Sequence, residues 1–181
     1  MKVQYYKTHK EYPDFNDYKL RVLLRDEEAD YQELLDTYQE AVSIAETYIQ
    51  KDIARTVNHW VINDFSGEIA VIDEGYYHSL SAVTFTDHNN VSHTVTGSTV
   101  QHNTCNFELH LPVTVNAKEL HVYFKTGFDS GMMPKDFQSA IKVKVCDLYD
   151  SERGSYGLEK KGDAFERYLN PHVKRFFIKY E

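Results

Sequence analysis

Tyr31, Leu35, Tyr38, Val42, Ala45 and Ile49 fall at alternating spacings of four and three, and Leu34, Ala41 and Tyr48 flank them. This stripe predicts one long amphipathic helix from about Asp26 to Lys51, roughly 35–40 Å long at 1.5 Å per residue. Asp26, Glu27 and Glu28 would sit in its first turn, where the positive end of the macrodipole favours carboxylates. A stripe of that length has to be covered by another apolar face. The residues after Pro134 offer one: Phe137, Ala140, Ile141, Val145, Leu148 and Tyr149 recur at helical spacing. They predict a second helix over 134–150, with Pro134 suited to its first turn and Gly154 and Gly157 ending it.

Between these helices the apolar period changes from 3.6 to 2 at Thr56. Val57 to Ile62, Glu68 to Asp73, Ser79 to Thr86, Val91 to Thr96, Phe107 to Leu111 and Leu120 to Thr126 read as short strands. Asp64 to Gly67 reads as a turn, and Asp87-His88-Asn89-Asn90 as a hairpin turn of the kind asparagine tolerates. Before the long helix, Met1 to Glu11 reads as a strand or arm. Asp14 is a candidate N-cap for a short helix containing Phe15, Tyr18 and Leu20. Near the other end, Asp163 to Leu169 is a short helix stopped before Pro171. The fold class is therefore α+β: a small helical core (12–55 and 130–170) with an antiparallel β insertion (56–128) and a C-terminal arm (171–181), all in one domain over 1–181.

Composition bounds the function. The chain has 181 residues, a length that favours one domain and allows a core without disulfides or structural metal. Its hydrophobic share of 41% argues against wholesale disorder. With 20 Lys and Arg against 28 Asp and Glu, the net charge is −8. That balance argues against nucleic acid or an anionic membrane as the main partner. No apolar run approaches the roughly 20 residues that span a bilayer, and Met1 to His9 has no signal-peptide pattern. Cys105 and Cys146 are far apart and form no metal-ligand spacing, so two thiols in a reducing compartment are expected. The 14 tyrosines suit half-exposed surfaces that become contacts.

Catalytic and cofactor motifs are not evident. Of the nine histidines, His88 and His93 flank a turn, with His102, His110 and His121 in the same β region. No pair has helical zinc-ligand spacing, and residues five apart on a strand need not share a face. No Gly-x-Ser-x-Gly elbow, papain-like cysteine or glycine-rich phosphate loop is present. Glu27, Asp30, Glu33, Asp36 and Glu40 read as a solvated helix face. No catalytic, cofactor or metal residue is assigned, and the chain is read as a non-enzyme. The least ordinary segment is the tail, where Phe176, Phe177, Ile178 and Tyr180 lie beside Lys174, Arg175 and Lys179. It is either a final strand packed on the body or an arm held for a partner.

Several segments, in order along nearly the whole chain, resemble the head-tail connector (adaptor) proteins of tailed bacteriophages, in the branch with a β insertion between helices. The resemblance is carried by Tyr18-Lys19-Leu20-Arg21, Asp30-Tyr31-Gln32-Glu33-Leu34-Leu35, and Ala41 to Ile49. It continues in Ser81 to Phe85 with the turn at Asp87 to Asn90, and in Phe124-Lys125-Thr126-Gly127-Phe128. Pro134, Ala140-Ile141, Leu148-Tyr149, Arg153 and Phe165 to Pro171 complete it. The β region is poorer in glycine and proline than that branch, and the tail beyond Pro171 is longer and more aromatic.

The resemblance implies a structural virion protein of the head-tail junction, assembled in the host bacterial cytoplasm. It implies a ring of about a dozen copies under the portal, each with two different complementary faces. The ring would extend the DNA channel, and its acidic surface would limit sticking of passing genomic DNA. Partners would be the portal protein, neighbouring copies and the next neck or tail protein, with no membrane. Lys174, Arg175, Phe176, Phe177, Ile178 and Tyr180 are the candidate portal or ring contacts. The alternatives are another neck or tail-completion protein (a terminator or stopper), or a small soluble histidine-rich metal-binding enzyme.

Overall fold

The computed structural model describes residues 2–13, 15–129, 131–152 and 162–173. The fold is α+β, with 41% of the chain in strands and 32% in helices, so strands outweigh the helices. The chain divides into two compact units, one from Met1–Glu11 with Ala54–Phe128 and one from Tyr12–Ile53 with Asp129–Glu181.

The first unit is β. Its strands are β1 (Val3–Glu11), β2 (Arg55–Ile72), β3 (Tyr77–Thr86), β4 (Ser92–Thr94), β5 (Thr99–His102) and β6 (Phe107–Thr126). They pair in the order β1-β2-β6-β3-β4, all antiparallel, with β5 also on β6. β2 and β6 are each far longer than the sequence suggests. Phe107 and Phe124 stand at opposite ends of β6, where a straight strand would hold them roughly 55 Å apart. Their ring centroids lie 4.9 Å apart, so the strand folds over and its two ends face each other. Burial of both faces' apolar residues drives the bend. Phe107, Leu109, Ile72 and Ile62 are fully buried together with Leu120, Val122 and Phe124.

This bend corrects the expected turn at Asp64 to Gly67. Those residues lie within β2, where the register with β6 shifts between Gly67 and Ile69. Asp64 (φ 53°) and Gly67 (φ 147°) take positive φ there. A bulge that twists a strand can send it from one layer into the next without ending it. On β6 the matching irregular stretch is 111–114, which has no partner in β2. The expected strands Phe107 to Leu111 and Leu120 to Thr126 are thus the two limbs of one strand. The turn at Asp87 is as expected. Asp87 Oδ1 accepts from the Asn89 and Val91 N–H groups, each at 2.9 Å, and Asn90 takes φ 62°.

The second unit is helical, with α1 (Asp17–Leu24), α2 (Tyr31–Ile49), α3 (Lys135–Glu152), α4 (Gly162–Leu169) and a 3-10 turn over Asn170–His172. The stripe is helical, but α2 is shorter than 26–51. Asp30 takes an extended conformation and its side chain accepts from the N–H groups of Gln32 and Glu33. That cap starts the helix at Tyr31. Asp26 instead accepts from the Glu28 N–H in the linker, so of the expected first-turn acids none is in the helix. Gln50 ends α2 at φ 57°. Asp14, the expected cap of α1, lies outside the described residues; Asn16 caps α1 by accepting from the Lys19 N–H at 2.9 Å. Pro134 immediately precedes α3, and its carbonyl accepts from the Gln138 N–H at 3.2 Å. Gly154 and Gly157 also lie outside the described residues. Leu34, Ala41, Val42, Ala45 and Ile49 are buried along α2, and Phe137, Ala140, Ile141 and Val145 along α3.

Candidate functional site

Lys174, Arg175, Phe176, Phe177, Ile178 and Tyr180, the contacts expected from the sequence, lie outside the described residues. Two other surfaces have the chemistry of contact sites, one in each unit.

In the helical unit, a groove of about 480 Å³ opens between α1, α2 and α3. The cap at Asn16 and the first turn of α1 set one wall, and α3 sets the other. Its lining includes Phe15, Leu20, Tyr38, Met133, Ile141 and Val145. Tyr38 is fixed there because its hydroxyl donates to the Pro13 carbonyl at 3.2 Å, and Phe15 packs on its ring at 5.6 Å. Lys19 and Lys142 stand exposed at the rim. No carboxylate is among the described lining residues.

In the β unit, the bend of β2 and β6 forms a corner whose outer face carries apolar side chains. Ile69 (51% exposed), Val71 (52%) and Val113 (61%) are open to solvent. Ile69 and Val71 alternate with buried Ala70 and Ile72, so their exposure follows from strand parity. Thr114, beside Val113, donates its hydroxyl hydrogen to Glu68. Asp64 and Glu68 are the carboxylates at the bend, while Glu74, beyond the far end of β2, lies 3.9 Å from Lys7 of β1.

The histidines form short local pairs. His93 lies 3.2 Å from Asp87, His110 3.5 Å from Glu108, and His88 3.4 Å from Asn116. His102 packs against Tyr77 with ring centroids 5.2 Å apart. His59 and His121 share a hydrogen bond at 3.2 Å, flanked by Tyr6 on β1 and Tyr123 on β6. Burial, and then the neighbouring His121, hold the His59 pKa below 6.5. Among the described residues, no three His, Cys, Asp or Glu are placed to hold a metal ion. Cys105 and Cys146 are both half-buried thiols.

Sequence reading missed both surfaces. The groove arises from residues more than a hundred positions apart. The corner left one trace, the unbroken apolar run Ile69 to Ile72, which departs from the alternation of a strand with one wet face.

No family model matches the chain, and no curated protein matches it either. Solved structures do. A chain in the virion of a native gene transfer agent (GTA) particle superposes with a TM-score of 0.77 at 13% identity, over 97% of this chain and 98% of that one. The fold is shared. A chain in the neck of the empty GTA particle, computed with C6 symmetry, gives a TM-score of 0.75 at 13% identity, covering 98% of each chain. A third, in the neck of the native GTA particle computed with C12 symmetry, gives 0.65 at 13% identity over 96% of this chain and 99% of that one. At 13% identity the likeness establishes the fold these chains have in common.

Proposed function

We propose that this protein is a structural component of the neck of a tailed phage or phage-like particle, where copies form a ring under the portal and extend the DNA channel. The observation that carries the reading is the likeness over nearly the whole chain to chains of a GTA neck. Necks computed with six-fold and twelve-fold symmetry favour a cyclic assembly for a chain of this fold. In such a ring each copy meets its neighbours through two different faces. The net charge of −8 suits a wall that genomic DNA passes without sticking. In this reading the chain works as one piece, a helical core carrying the β region as an insertion. Residues 171–181 are the arm that meets the portal or a neighbour through Lys174, Arg175, Phe176, Phe177, Ile178 and Tyr180. The protein is a virion component without an enzymatic role. Another neck or tail-completion protein, a terminator or stopper, is the second reading, which the neck likeness alone also fits.

Native mass spectrometry and light scattering test this on the purified chain, alone and with the portal protein of the same particle. The expected species are a monomer and a ring of six or about twelve copies, with the portal favouring the ring. A two-fold dimer that survives dilution and ignores the portal would sink the proposal.

A further inference from the structure

We propose that the acidic corner of the β unit docks into the groove of the helical unit of the neighbouring copy, an inference that rests on the ring reading above. A heterologous ring needs two unlike surfaces that fit each other, present once on every copy. The corner presents Ile69, Val71 and Val113 to solvent, each more than half exposed. Val113 lies in the stretch of β6 that has no partner in β2, at the crest of the bend. The groove is the counterpart: an apolar floor with a volume in the range that accepts an inserted apolar group.

Charge selects the pair. The chain carries −8, so two copies repel over most of their surfaces. Asp64 and Glu68 lie at the bend itself, where the register of β2 shifts. The groove presents the opposite charge, with Lys19 and Lys142 at its rim. A corner seated there puts Glu68 and its neighbours against the two lysines, while Val113 and Ile69 leave water. Buried apolar anchors give affinity, and the rim charges set register and discriminate against wrong faces.

Two measurements on the full chain, assembled alone or on the portal, test the docking. In the first, a photo-crosslinking amino acid replaces Val113, and isotope-labelled and unlabelled copies are mixed so that links between copies are identified by mass. Links should fall in the peptides 15–20 or 131–145 of another copy. In the second, Glu68→Lys and Lys142→Glu should each weaken ring formation at least ten-fold, and the two together in one chain should restore most of it. Circular dichroism confirms folding, and the charge reversal decides if the variant at Val113 does not fold. Rings that tolerate both single reversals, with links landing elsewhere, for instance on 2–11, would overturn the docking and leave the ring standing. A wild-type chain that forms no ring alone or with the portal would overturn both.

Discussion

In the β unit, fourteen buried residues running from Trp60 to Phe124 form one apolar cluster, and they meet because two strands bend over. In the helical unit, the elements begin and end through local devices. Asp30 caps α2, Asn16 caps α1, and Arg25 and Gln50 end those helices in left-handed conformations. Loops are then tied down by single side chains. The Tyr149 hydroxyl donates to Asp26 at 2.9 Å, and the Tyr48 hydroxyl donates to Asn170 at 2.6 Å. The β unit therefore depends on strand register over long sequence distances, and the helical unit sets its helix ends by local caps and ties its loops by a few side-chain contacts between distant segments.

Breaking the bend gives the largest expected effect. Phe107→Ala removes a ring that touches both Tyr77 and Phe124. It should cost about 3–5 kcal/mol, the range for a fully buried Phe truncated to Ala. Hydrogen exchange locates the loss, with protection expected to fall over 55–72 and 107–126. If α2 loses as much protection, the two units unfold together and the contrast between them fails.

Next comes Gly127→Ala, at a positive φ of 84°. An added Cβ would run into the Ala54 backbone carbonyl, which cannot swing aside as a flexible side chain could. A loss of roughly 2 kcal/mol is expected in urea denaturation, from backbone strain and clash together. A neutral result would show that the start of β2 and the end of β6 are not held as closely as their pairing indicates.

Asp30→Ala sharpens the helical side of the comparison. Losing the cap of α2 should cost about 1 kcal/mol, and Asp30→Asn should recover most of it because the amide oxygen still accepts. An equal loss in both variants, read by thermal melts, would assign the effect to charge at the helix end and not to the hydrogen bond.

The smallest effect is expected at His59, which is half-buried. Its folded pKa lies below 6.5, so the unfolded chain binds more protons between that lowered value and 6.5. Stability should therefore fall as pH drops through that window, and the slope should diminish in His59→Phe. Tyr6, His121 and Tyr123 face the ring, and Glu119 lies 3.5 Å from His121. A melting temperature with the same pH dependence in both proteins would remove His59 from the account.

The sequence alone determined what depends on neighbours in the chain. The apolar spacing of Tyr31 to Ile49 and of Phe137 to Tyr149 specified helices, because residues three and four apart share a helix face. Alternation from Thr56 specified strands, and Asp87 with Asn90 specified a turn. Helix bounds were less legible, since Asp26, Glu27, Glu28 and Asp30 are all plausible starters and only backbone geometry selects Asp30. Tertiary structure alone decided that Asp64 to Gly67 bends a strand instead of ending it. The same polar and glycine residues serve a turn or a bulge, and the choice falls to whichever buries Ile72, Phe107 and Phe124 together. It also decided the two candidate surfaces. Lys19 and Lys142, or Ile69 and Val113, carry no signal in their own segments; they become a rim and a crest only when distant parts of the chain are packed side by side.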